Sequence, residues 1–190
     1  MPTPAVFFRR HLSFLPASLL LLLALLGMPA VHADEYADVN RLIGAKQFPQ
    51  ALASADKYLA GKPRDPQMRV LKGVIQGETA KTSEAMETFT KITEDYPELP
   101  EPYNHLAVLY AGQSQFDKAR TTLEMAIRLN PRYTTAHENL GDVYARLASQ
   151  SYSRAQQLDP SNAGLPPKLA LIGQALAPIT KSAAPQAMAP

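Results

Sequence analysis

Two histidines beyond the first 33 residues, His105 and His137, are the side chains best suited to holding a metal or passing a proton at neutral pH. A zinc site needs three or four ligands, and two of them commonly sit on one helix face four residues apart. This chain has no cysteine, and Glu138 adjoins only one of the two histidines without that spacing. Both therefore read as ordinary helix-surface or interface histidines. Ser149, Ser151 and Ser153 offer hydroxyls, but none lies in a Gly-x-Ser-x-Gly elbow and no histidine follows them. The pair Glu94-Asp95 precedes Tyr96-Pro97 at a helix end, a solvated place rather than the buried one that acid–base work requires. Gly73 and Gly77 stand alone in a helical pattern and form no phosphate-cradling loop. The expectation is a chain with no catalytic residue, no metal site and no cofactor.

The elements that would position any site begin after a leader. Arg9 and Arg10 precede a leucine-rich run over residues 12–26 that ends in small residues, with Val31 and Ala33 at the two small positions before an expected cut. Residues 1–33 are expected to be a signal peptide, leaving a mature chain that starts near Asp34. A permanent anchor is disfavoured, because the run is interrupted by Pro16 and a span takes about 20 apolar residues. The residues after the arginines match a twin-arginine signal poorly. Contact with a membrane is thus expected only through the transient leader, and the mature protein is expected to be periplasmic or secreted. Without cysteine it carries neither a lipid-modified cysteine nor a disulfide. The 19 basic and 17 acidic residues become 17 and 17 once Arg9 and Arg10 are gone. A neutral chain without a Lys/Arg cluster lacks the footprint needed to bind nucleic acid.

Self-comparison shows a period of 34: Pro63, Pro97 and Pro131 keep it, and so do Ala51, Ala85 and Ala119. Each unit reads as two amphipathic helices. In the third, Tyr103, Leu106, Ala107 and Tyr110 have helical spacing over residues 100–112, and Phe116, Ala119, Leu123, Ala126 and Ile127 repeat it over 116–130. Residues 112–115 make the turn and Pro131 ends the second helix. The second unit supplies Gly73, Ala85, Phe89, Ile92 and Pro97, and the first Leu42, Phe48, Ala51, Ala55, Tyr58 and Pro63. This pattern resembles the tetratricopeptide repeat family over roughly residues 34–160. Arg69 and Lys72 depart from it at positions the family gives to apolar residues. Glu35 and Asp38 do so in the first unit, as a polar capping repeat would.

The resemblance implies an all-α fold, a short right-handed superhelix of antiparallel helical hairpins. Its repeat domain covers 34–176, with units near 34–65, 66–99, 100–133 and 134–160, a capping helix over 165–176, and a disordered Ala/Pro-rich tail over 177–190. The fourth unit has His137, Leu140-Gly141 and Tyr144 in register, yet Pro160 follows Pro131 by 29 residues. It is expected as a shortened or merged hairpin, 136–148 then 150–158. Gly73, Ala107 and Gly141 are expected to face Ala85 and Ala119, since small residues let helix axes approach.

The resemblance further implies that first helices line a concave groove. The partner-binding residues would be Gln67, Val70 and Val74, then Glu101, Asn104 and Val108, then Glu138, Asp142 and Arg146. Glu138 and Asp142 would repel a peptide carboxylate, so a protein or peptide with an apolar strip and basic residues suits better. Self-association through tyrosines, leucines or the last helix is compatible with the pattern. The expected function is a periplasmic protein–protein interaction scaffold or adaptor in cell-envelope assembly. The alternative is a chaperone-like or regulatory cofactor of exported proteins.

Overall fold

The computed structural model describes residues 30–176, with side chains placed from residue 35 onward. The expected signal peptide, apart from its last few residues, and the expected tail at 177–190 lie outside the described residues. The chain divides after Asp34 into two units, and the second, from Glu35, carries the repeats. Eight helices and no strands occur among the described residues: α1 (Ala30–Gly44), α2 (Phe48–Gly61), α3 (Pro66–Glu78), α4 (Thr82–Asp95), α5 (Pro100–Gly112), α6 (Phe116–Leu129), α7 (Thr134–Leu158) and α8 (Leu165–Leu176). The fold is an all-α helical repeat in which sequential helices pack against one another.

The turns within hairpins share one device. Lys46, Ala80 and Ser114 have φ of 56°, 59° and 59°, and they recur at the 34-residue period. Each left-handed residue lets two amides return to the end of the preceding helix: Lys46 to Ile43 and Gln47 to Leu42, Ala80 to Gly77 and Lys81 to Gln76, Ser114 to Ala111 and Gln115 to Tyr110. The second helices also end alike. The amides of Lys62, Tyr96 and Asn130 donate to Tyr58, Ile92 and Ala126 just before the repeating prolines.

The fourth unit breaks the pattern. Ala148, where a fourth left-handed turn would fall, lies inside a single helix, and α7 runs unbroken for 25 residues. The expected pair 136–148 and 150–158 is therefore one rod. Arg146, Leu147 and Ala148 are strong helix formers, and the glycine that ends α1 and α5 at this register, Gly44 and Gly112, is replaced by Arg146. The far end of α7 still closes like a second helix, with the Asp159 amide donating to Ala155 before Pro160. α8 packs on α7 through buried Leu165 and Leu176, and Lys168 Nζ sits 5.2 Å above the Tyr152 ring.

Three apolar clusters follow the hairpins. Val39, Ala51, Ala55, Tyr58, Met68, Leu71 and Ile75 join α1 to α3; Val70, Ala85, Phe89, Ile92 and Leu106 join α3 to α5; Ala107, Ala119, Leu123, Ala126, Ala136 and Val143 join α5 to α7. Gly73 is required by its surroundings, since a Cβ there would lie 2.7 Å from Phe89 Cζ, so its close approach is to Phe89. Gly141 is not: nothing lies within 4 Å of a Cβ placed on it, because α7 continues outward where a returning helix would have pressed. For the same reason Tyr144, in register with packed Tyr110, is 47% exposed.

The first repeat is tied by a polar knot. Asp65 caps α3, its Oδ1 accepting from the Met68 amide at 2.8 Å, while its Oδ2 accepts from Tyr36 Oη at 2.6 Å and Tyr58 Oη at 3.2 Å. Burial raises the Asp65 carboxyl, but these three donors and nearby Lys62 outweigh it and hold the group below its ordinary value.

Candidate interaction groove

The first helices α3, α5 and α7 lie side by side, and the nine residues expected to face the groove fall into two groups. Val70 is buried and Val74 half-buried against it, in the cluster that joins α3 to Leu106 and Leu109 of α5. Asn104 is buried too, its side-chain oxygen accepting from Asn139 Nδ2 of α7 at 2.8 Å. These three bind helix to helix, so their surface is largely used before a partner arrives. Sequence spacing could not separate them from groove residues, because neighbouring first helices pack along the edge of the same face.

The other residues keep surface. Gln67 and Glu138 are exposed, Val108 is 39% exposed, and Glu101, Asp142 and Arg146 are half-buried. Burial raises the Asp142 carboxyl, the Glu138 charge adds to the rise, and Arg146 opposes it. Burial and then the Glu101 charge push the Tyr133 hydroxyl up to about 12. The strip running from α5 to α7 is thus acidic, with Arg146 as a counterweight and Val108 as an apolar contact. Asn139 and Tyr133 belong to this neighbourhood; the sequence pairs Asn139 with Asn104 as asparagines of the groove-lining helices, whereas nothing in the spacing points to Tyr133.

The remaining chemistry-bearing residues have structural surroundings. His105 lies flat on Phe89, ring centroids 5.0 Å apart and planes 11° apart, and burial lowers its pKa to about 4. His137 donates from Nε2 to the Pro131 carbonyl at 3.0 Å. Among the described residues no group of three or more His, Cys, Asp or Glu is placed to hold a metal ion. Ser151 Oγ donates to the Leu147 carbonyl within α7.

Comparison with known proteins agrees with this architecture. Residues 37–159 match the family model described as the N-terminal TPR repeats region of Psidin. A curated relative, the tetratricopeptide repeat domain-containing protein PYG7 of Arabidopsis thaliana chloroplasts, is 37% identical over 73 residues, which are 36% of this chain and 24% of the relative. The chain thus spans about a quarter of that relative's length. Among solved structures, the thermophilic TPR protein TTC0263 of Thermus thermophilus is 21% identical with a TM-score of 0.58, covering 78% of this chain and 84% of that one. The first TPR of Spaghetti (RPAP3), bound to the HSP90 peptide SRMEEVD, is 14% identical with a TM-score of 0.56, covering 61% and 92%. At these identities the structural likeness speaks for the fold.

Proposed function

This chain belongs to the tetratricopeptide repeat family, and we propose that it is an exported protein-interaction scaffold whose acidic strip from α5 to α7 docks a partner segment carrying basic and apolar residues. The observation that carries the reading is that α5 presents Glu101 and exposed Val108 while α7 beside it presents Glu138 and half-buried Asp142, which is already raised by burial and by Glu138. A cation from a partner would relieve that repulsion, and opposite charges across an interface set orientation and on-rate. The peptide held by Spaghetti shows what the fold does in that protein, and a repeat stack can carry many unrelated partners. The leader read from Arg9, Arg10 and the leucine run supports a periplasmic setting and a role in cell-envelope assembly.

The test is capture from envelope extracts by crosslinking and mass spectrometry, with the full exported chain and the double variant Glu138→Lys/Asp142→Lys. One partner is expected to be captured by the parent and lost by the variant at unchanged melting temperature. Equal capture by both would remove the acidic strip from the mechanism. Fractionation that leaves the processed chain in the cytoplasm would end the exported setting.

A second reading, a chaperone-like cofactor of exported proteins, is favoured by one observation: Leu158 and Leu171, on α7 and α8, are 72% and 65% exposed. It predicts suppressed aggregation of several unrelated exported clients, weakened by Leu158→Ser/Leu171→Ser and untouched by the groove variant.

A further inference from the structure

The two residues of the second unit that depart from the repeat pattern, Arg69 and Lys72, line a notch of about 230 Å³ together with Leu59, Pro63, Thr88 and Lys91. It lies on the other side of α3 from Val70 and Val74, which pack towards α5. The chain itself shows what this notch normally contains. One period later the lining positions are Thr93, Pro97, Tyr103, Leu106, Thr122 and Met125. There Tyr103 fills the space, its hydroxyl donating to the Pro97 carbonyl at 3.3 Å and the Thr93 carbonyl at 3.5 Å, with Leu106 buried beside it. A further period on, the ring is His137, which bonds the Pro131 carbonyl in the same way.

The second unit has no ring of its own at this place. Arg69 turns to Asp95 of α4 at 2.6 Å with its side chain only 14% exposed, and Lys72 reaches Asp56 of α2 at 2.7 Å. Lys91 pairs with Glu87 on the surface of α4 at 2.7 Å. The three carboxylates are not part of the notch lining, so the ionisable groups that line it are all cations. The two lysine pairs are solvent-accessible and therefore weak, and flexible lysine heads can turn inward to a better anion at small cost. Leu59 and Pro63 supply an apolar wall; the same positions one unit later are Thr93 and Pro97, whose carbonyls the Tyr103 hydroxyl reaches.

We propose that this notch is a binding site for a ring-sized molecule bearing an oxyanion, an aryl phosphate or aryl carboxylate, whose ring takes the place Tyr103 fills one unit later and whose anion is met by Lys72, Lys91 and Arg69. It is separate from the groove and does not depend on the scaffold reading.

The test titrates phenyl phosphate into the full exported chain and follows amide shifts, with phenol and inorganic phosphate as separate probes. Saturable shifts confined to residues 59–63, 69–72 and 88–91 are expected for phenyl phosphate, with phenol and inorganic phosphate each about tenfold weaker or worse. The double variant Arg69→Tyr/Lys72→Leu restores the third unit's own pattern and so should fold. It is expected to melt no lower than the parent and to bind phenyl phosphate at least about tenfold more weakly. A capped phosphotyrosine tripeptide distinguishes the source: tighter binding than phenyl phosphate assigns the group to a peptide, equal or weaker binding to a free small molecule. Absence of saturable binding, equal affinity for inorganic phosphate, or unchanged binding by the filled variant overturns the proposal.

Discussion

Acidification should loosen this stack through one ring. His105 lies against Phe89, and Phe89 is the side chain that occupies the space left by Gly73, so the imidazole covers the joint between the second and third hairpins. Burial takes its pKa from 6.5 down to about 4. In the unfolded chain the ring titrates near its ordinary value, so between these two pH values the unfolded state binds the extra proton and stability falls as pH falls. Each unit of pKa difference is worth about 1.4 kcal/mol, so the fold should lose about 2 kcal/mol between pH 7 and pH 5, and about 3 kcal/mol once the native ring also protonates. Asp142, whose raised carboxyl favours the folded state as pH falls, works in the opposite direction at the lower end of that window. The measurement is urea unfolding of the parent and of His105→Phe at pH 7, 6 and 5, since phenylalanine keeps the stack on Phe89 and removes the titration. The stability difference between parent and variant should move by about 2 kcal/mol against the parent across that range. Parallel curves for the two proteins would show that His105 is open to water when folded.

Further outcomes are expected from packing and backbone. Gly73→Ala should destabilise by about 1–3 kcal/mol, because its Cβ meets the Phe89 ring at 2.7 Å, whereas Gly141→Ala should stabilise by about 0.5–1 kcal/mol in open helix; thermal denaturation of the pair reads both, and equal effects would place the two glycines in like surroundings. Ala119→Leu, at a fully buried position in the α5–α7 cluster, should cost about 1–3 kcal/mol by overpacking, and an unchanged melting temperature would mean that the space is not closed. Ala80→Gly should stabilise by about 0.5–1 kcal/mol, since φ of 59° strains a residue with a Cβ; a loss in urea unfolding would show that chain entropy outweighs the relief.

The repeat was legible because prolines and alanines do jobs that tolerate few substitutes. Pro63, Pro97 and Pro131 stop second helices, and Ala51, Ala85 and Ala119 are fully buried in the clusters between helices. The left-handed turns at Lys46, Ala80 and Ser114 were not legible, since none is a glycine or asparagine and the strain is imposed by the packing on both sides. The five missing residues of the fourth unit announced an irregularity without its form; only the absence of a breaker between Arg146 and Gln150 hinted at continuous helix. In the groove, residue type pointed to Glu138 and Asp142. It could not say that Val70, Val74 and Asn104 were already engaged by the adjoining helix. Arg69 and Lys72 were visible as exceptions, but the empty space beside them shows only when one hairpin is laid over the next.

The unbroken α7 also sets where the array stops. At about 1.5 Å per residue it is a strut of about 37 Å, and its outer half projects along one line instead of doubling back. A further unit added beyond it would find no returning helix of the shape that received each earlier unit, and α8 already occupies part of that flank. Termination is therefore written as a lost corner: a module grafted after Leu158 would have to bring its own seat, while restoring a five-residue elbow near Ala148 would reopen the series to growth.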